Sequence, residues 1–197
     1  MLIFIALARA EPPPFDQIDQ VDSFDGCIIR MGRPLPDSRV QPLRAECHWS
    51  DVTLARMAEL LGNYERYGDF IACMREVRVV RDGDPRGTLV WQLDNIGIGL
   101  SERESETWMS RTDAPGALQV AWRTANEPFT PRSGSVVMPF NEGAWWVTAS
   151  PGGGVDIVED LRIDPGGSLP SWVVNWFQTY GISAELKQLH DLAISPA

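Results

Sequence analysis

Apolar and polar positions alternate with a strand period through most of this chain, and a helical period takes over in only a few places. Segments 23–31 and 39–48 flank Pro34-Leu35-Pro36-Asp37, a proline-containing turn signal, and are predicted to pair as a hairpin. After them Val52, Leu54, Ala55, Met57, Ala58, Leu60 and Leu61 recur at helical spacing, with Ser50 or Asp51 as cap and Gly62 as terminator. An aromatic turn of helix over 64–70 follows. Strands are then expected at 76–81, 87–93, 105–111, 117–124, 133–139, 144–149 and 155–163, bounded by turn residues such as Asp82-Gly83-Asp84-Pro85, Pro115-Gly116 and Pro151-Gly152-Gly153-Gly154. Links this short cannot hold parallel crossovers, which need about a dozen residues, so the strands make one antiparallel meander.

From 168 to 192 the period is helical again, with Pro170 tolerated in the first turn and Leu169, Trp172, Val173, Trp176, Phe177 and Tyr180 on one broad face. Leu186, Leu189 and Leu192 continue that stripe beyond Gly181, a candidate kink. A long amphipathic helix after one large sheet buries its stripe most simply if the sheet curls around it, an α+β arrangement that leaves room for a pocket between them.

Composition narrows the function. The chain has 197 residues, 44% hydrophobic and 22% charged, which suits a single globular domain. With 17 basic and 27 acidic residues the net charge is -10, which argues against a nucleic-acid surface. The apolar run Met1 to Ala10 ends in Ala8-Arg9-Ala10 and meets Glu11-Pro12-Pro13-Pro14, so 1–14 reads as a clipped signal peptide with its lead-in. That reading places the mature protein in the periplasm or outside the cell. The run lacks a basic start, however, and as a short anchor or an apolar strand it would leave a cytoplasmic location open.

Cys27, Cys47 and Cys73 have no metal-ligand spacing, so no metal is expected, and no cofactor motif appears. Cys27 and Cys47 lie at comparable distances from the 34–37 turn and could bond across a hairpin, the alternative being three buried free thiols. His48 and His190 are expected at opposite ends of the fold, with no nucleophile at a meaningful spacing. No residue is assigned a catalytic role, and the balance leans away from an enzyme.

Three stretches carry a family resemblance. Ile163-Asp164-Pro165-Gly166-Gly167-Ser168-Leu169-Pro170-Ser171-Trp172-Val173-Val174-Asn175 resembles the segment that opens the last helix of START domains, the StAR-related lipid-transfer group. Leu100-Ser101-Glu102-Arg103-Glu104 is similar to that family's Ser-x-Arg-Asp turn, with glutamate for aspartate. The helix with Tyr64, Tyr67 and Phe70, followed by a strand from Met74, resembles the first helix region of the wider group that includes polyketide cyclases. The resemblance implies one domain over 23–193 with a helix-grip fold, a curved antiparallel β-sheet wrapped around a long C-terminal α-helix. It also implies a tunnel for a lipid or other apolar ligand and, with it, transient membrane contact. START lipid carriers hold an acid and arginine pair in the tunnel, the arginine six residues beyond that of the turn, where this chain has Met109; Arg111 or Arg123 are the candidate substitutes.

If the concave face is the pocket wall, strand alternation nominates Trp91 and Leu93, Thr107 and Met109, Val120 and Trp122, Trp145, and Ile157 with Glu159 as ligand-binding residues. The last helix adds Trp172, Trp176, Phe177 and Tyr180. Each would serve equally as core filling. Glu159 stands out because it is in phase with Val155, Ile157 and Leu161, so its carboxylate is predicted to be buried. Besides a carrier or sensor, a cyclase, aromatase or hydrolase using Glu159 as base, and an interaction domain with a filled tunnel, fit the same pattern. The sequence sets neither the ligand nor the oligomeric state.

Overall fold

A computed structural model describes residues 11–34, 40–97 and 99–196. The signal-peptide reading of 1–10, and residues 35–39 of the predicted hairpin, lie outside the described residues. The elements are β1 (Gln17–Phe24), β2 (Cys27–Gly32), β3 (Leu43–Trp49), α1 (Leu54–Gly62), a 3-10 turn (Tyr64–Asp69), β4 (Met74–Asp84), β5 (Gly87–Asp94), β6 (Arg103–Ala114), β7 (Ala117–Thr124), β8 (Val136–Val137), β9 (Phe140–Ala149), β10 (Val155–Asp164) and α2 (Ser171–Ile194). The strands form one sheet in the order β1-β2-β3-β10-β9-β7-β6-β5-β4. All these pairings are antiparallel; β8 lies off this path, parallel to the start of β6.

The meander from β4 to β7 and the pairing of β9 with β10 follow from the short links between them. The N-terminal strand is different. What alternation suggested as one strand over 23–31 is the second half of one hairpin, because the chain reverses at Asp25-Gly26, with φ of 39° and 79°. Only a residue pair that tolerates positive φ can make so tight a reversal between twisted strands. The strand expected at 133–139 shrinks to Val136–Val137, since its neighbours are spent on crossing the outside of the sheet. Thr53, not Ser50 or Asp51, caps α1, accepting from the Arg56 amide at 3.2 Å.

Both helices cover the concave face. Met57 and Leu61 of α1 meet Ile182, Leu186 and Leu189 of α2 over Ile29, Leu43, Trp145 and Ile157 of the sheet, all essentially without solvent contact. Burying each such side chain contributes about 1.5–3 kcal/mol. Cys27 and Cys47 are direct partners across β2 and β3 and are bonded, which removes the reading of three free thiols and leaves Cys73 as the free one. With the bonded cysteines 20 positions apart in sequence, the constraint on the unfolded chain is worth about 3 kcal/mol.

The inner stripe of α2 is not the one the aromatic side chains mark. Val174, Gln178, Ile182, Glu185, Leu186 and Leu189 face the sheet, while Trp172, Trp176 and Tyr180 are 73%, 52% and 62% exposed. Residues two apart on a helix point about 200° apart, so the two stripes are on opposite sides. Hydrogen bonding decides between them. Gln178 accepts from the Ile163 amide at 2.9 Å and donates to the Gln41 carbonyl at 3.3 Å, satisfying backbone groups that an indole could not both serve. The helix runs through Gly181 without interruption.

Candidate functional site

Between the concave face and α2 lies a cavity of about 60 Å³, walled by β5, β6, β7, β9 and β10, by the 3-10 turn with Ile71 to Met74, and by α2. Its surface is mostly apolar. Of the residues nominated from sequence, Thr107, Met109, Trp122, Trp145 and Phe177 line it. Trp122 is seated by Gly143 on β9, where a Cβ would overlap the indole ring.

The other nominated residues are elsewhere, for reasons visible in each case. Val120, Ile157 and Glu159 point inward as their phase requires, but they are buried in packed core that does not line the cavity. Trp91 and Leu93 are buried on the opposite face of the sheet. There Arg78 and Arg132 sit over the Trp91 ring at 4.7 and 4.9 Å, and its indole N–H donates to Glu104 at 2.9 Å. Because Arg side chains and the segment before β9 cover this outer face, β5 is buried on both sides and its apolar alternation does not reveal which side is inner. Trp172, Trp176 and Tyr180 are on the solvent side of α2, where Trp176 stacks on Tyr180 with ring centroids 5.5 Å apart. The substitute arginines do not reach the cavity either, Arg111 being bound to Asp113 and to the Ala58 carbonyl and Arg123 exposed.

In place of an acid and arginine pair, the cavity has a polar wall that the sequence reading did not contain. Trp122 donates to Asn141 Oδ1 at 2.9 Å, and Asn141 donates to Gln92 Oε1 at 3.3 Å and Ser105 Oγ at 3.4 Å. Gln92 in turn donates to Asp94 Oδ2 at 2.8 Å. The chain of bonds orients Asp94, whose second oxygen, Oδ1, has no partner among the described residues, the residue being 5% exposed. Glu185 of α2 faces the same cavity. Behind it both oxygens of Glu159 are buried, with no partner among the described residues.

Burial governs the protonation of these acids. It pushes Asp94 up to about 7, the Gln92 hydrogen bond opposing only in part. Glu185 is pushed up to about 8, first by burial and then by the charge of Asp94. Glu159 is raised well above the carboxylate range by burial, with Glu185 and Asp160 adding to it. A signal for Glu185 existed in the sequence, since a lone acid interrupts the stripe Ile182, Leu186, Leu189. Asp94 had none, because its strand face was assigned outward.

Arg103, also at the cavity, gives its guanidinium hydrogen bonds to the Ser101 and Pro165 carbonyls. It thereby ties the turn before β6 to the Pro165-Gly166-Gly167 passage, where both glycines have positive φ, 71° and 70°. The two histidines, expected far apart, meet the same end of β3: His190 packs on Trp49 at 4.8 Å and pairs with Asp51, and His48 pairs with Asp156. Among the described residues no group of His, Cys, Asp or Glu could hold a metal ion, and no helix is long and apolar enough to cross a membrane.

Solved structures share this arrangement of sheet and helix. A STAR-related lipid transfer protein from Xanthomonas axonopodis matches with a TM-score of 0.79 and 17% identity, over 91% of this chain and 100% of that one. Human StAR-related lipid transfer protein 5 matches at 0.79 and 14%, over 89% and 85%. Human STARD10 matches at 0.78 and 16%, over 89% and 72%. The fold is that of the START domains. No family model and no curated protein matches the sequence, so the likeness to START structures rests on three-dimensional similarity. Against that background the position six residues beyond Arg103 holds Met109, which faces the cavity of this START-like domain, and the carboxyls and amides of Asp94, Glu185, Gln92 and Asn141 are among its polar groups.

Proposed function

We propose that this domain binds an apolar small molecule in the cavity between sheet and α2, as a carrier or sensor. The observation that carries the reading is the cavity itself: an apolar enclosure with a few oriented polar groups is how small-molecule sites are built. The similarity to proteins named for lipid transfer supports the same class of ligand. At about 60 Å³ the space holds on the order of four or five waters, so a lipid-sized ligand enters only as the start of α2 or the 3-10 turn moves outward. Native mass spectrometry and solvent extraction of the purified protein test this. A co-purifying apolar molecule, or uptake from a mixed lipid pool with a rise in Tm, is expected; saturation at a hundredfold over Kd adds about 2.7 kcal/mol. Recovery of nothing and uptake of nothing overturns the proposal.

One observation favours a second reading, an acid-base enzyme. Asp94 near 7 and Glu185 near 8 are poised for proton transfer at neutral pH, in the cavity that Glu159 does not reach. Turnover lost in Asp94→Asn with binding retained would establish it. For location, the Cys27–Cys47 bond supports an oxidising compartment, periplasmic or extracellular. Intact mass of protein from its native host checks this, a mature chain beginning at Glu11 being the expected result and a retained Met1 the opposing one.

A further inference from the structure

Beside the amides of Gln92 and Asn141 the cavity presents carboxyls, and these bear on what its ligand carries. Asp94 from β5 and Glu185 from α2 both face the space, and Glu159 from β10 lies behind Glu185. Asp94 Oδ1 is buried with no hydrogen-bond partner among the described residues. A desolvated acceptor of this kind is costly if nothing meets it.

Among the described residues no basic side chain offsets the three acids. The charges that act on them are each other's and that of Asp160, all of the same sign. Tyr67 and Cys73, which also line this part of the cavity, are neutral groups whose own ionisation burial opposes. Arg103, the one cation of the lining among the described residues, is engaged with the Ser101 and Pro165 carbonyls. Once ionised, the carboxyls therefore have no counter-charge among the described residues, and one brought from outside the chain would be met by them.

We infer that the ligand of this cavity carries a protonated amine on an apolar body, with the ammonium group seated between Asp94 and Glu185. The inference rests on the binding proposal above and specifies the ligand class for the same site. An ammonium group supplies three donors, enough for Asp94 Oδ1 and the Glu185 carboxylate, while the apolar body packs on Met109, Trp122 and Phe177. A carboxylate or phosphate head would instead add like charge to a buried acidic cluster.

The ammonium requires ionised carboxylates, so its binding releases protons from Asp94 and Glu185 wherever the empty cavity holds them neutral. An alkylamine stays protonated up to about pH 10, so its affinity rises from pH 6 to pH 9 while that of a neutral ligand stays level. Glu159, deeper and raised further, is expected to remain protonated over that range.

Isothermal titration of the full chain with octylamine, octan-1-ol and octanoic acid at pH 6, 7.5 and 9 tests the idea, because the three share one apolar body. Octylamine is expected to bind at least about tenfold more tightly than octan-1-ol at pH 7.5, with the gap widening at pH 9. Asp94→Asn and Glu185→Gln should each reduce the amine preference and its pH dependence, with circular dichroism and a cooperative thermal melt reporting that the variants fold. Equal or tighter binding of the alcohol or the acid overturns the inference while the binding proposal stands, the carboxyls then being met by water. An amine preference unchanged in both variants overturns it as well. Binding of none of the three removes the binding proposal and this inference with it.

Discussion

Asp94 and Glu104 lie one register step apart on neighbouring strands, Asp94 opposite Arg103 and Glu104 opposite Leu93, and they point to opposite faces of the sheet. Both are almost completely buried. On the outer face Glu104 accepts from Trp91 at 2.9 Å, from the Arg132 amide at 2.7 Å and from the Ser135 hydroxyl. Burial by itself would raise its pKa, but those hydrogen bonds, from Ser135, the Arg132 amide and Trp91, bring it below the usual carboxylate range. On the inner face Asp94 has one donor, Gln92, and burial wins. A buried acid whose lone pairs are all met holds the structure together; one left open toward a cavity is available to something else. Glu104 fastens the 132–135 segment over the sheet, whereas Asp94 and Glu185 face the cavity.

The largest consequence of this contrast is a pH dependence of stability. The folded protein holds protons on Asp94 and Glu185 up to about pH 7 and 8, whereas the unfolded chain releases them near 4. Their contribution is therefore fully present below about pH 4 and is lost as pH rises toward 8, on the order of 4 kcal/mol for each. Urea unfolding at intervals from pH 5 to 8 should show stability falling with pH in the native sequence and a slope at least halved in the double variant Asp94→Asn, Glu185→Gln. An unaltered slope would mean that these acids are solvated in the folded state.

A smaller effect of opposite sign belongs to the outer acid. Glu104→Gln leaves one of three buried donors facing an amide N–H and should cost about 2–3 kcal/mol, a fall in Tm of roughly 5–10 °C. Asp94→Asn at pH 8 should raise Tm instead, and calorimetry of the two variants side by side distinguishes them. If both lower Tm equally, the distinction between fastened and open carboxyls fails.

The smallest effect is on α2. Trp176 stacks on Tyr180 at the surface, so Trp176→Ala should cost no more than about 1 kcal/mol, in contrast to the 3–5 kcal/mol its volume would command in a packed core. A thermal melt that drops by the larger amount would show that this aromatic face is covered in solution.

Much of the architecture was legible in the chain. The turn residues between the middle strands, the helical stripe of α1 and the passage through Asp164-Pro165-Gly166-Gly167 each follow from local rules, since short links and positive-φ glycines allow few conformations. The inward phase of Thr107, Met109, Trp122 and Glu159 was legible too, because β6, β7 and β10 reverse sides at every residue. Legibility failed where both sides of an element are apolar. On β5 the outer face is covered by arginines and the 132–138 segment, so Trp91 and Leu93 look like pocket residues. On α2 two apolar stripes share one helix, and the size of the indoles favoured the wrong one.

What the sequence by itself determined, then, is the succession of strands and helices and the antiparallel pairing of the middle of the sheet, for these depend on contacts between near neighbours in the chain. Tertiary structure alone decided which stripe of α2 turns inward, that Cys27 stands opposite Cys47, and that Asp94, Gln92, Asn141 and Glu185 share one cavity. Those groups come from strands and a helix up to about ninety residues apart, and only the folded sheet with α2 packed on it determines where each one's polar atoms point. Burial, and with it the protonation state of an acid, is a property of everything packed around a side chain and cannot be read from its neighbours along the chain.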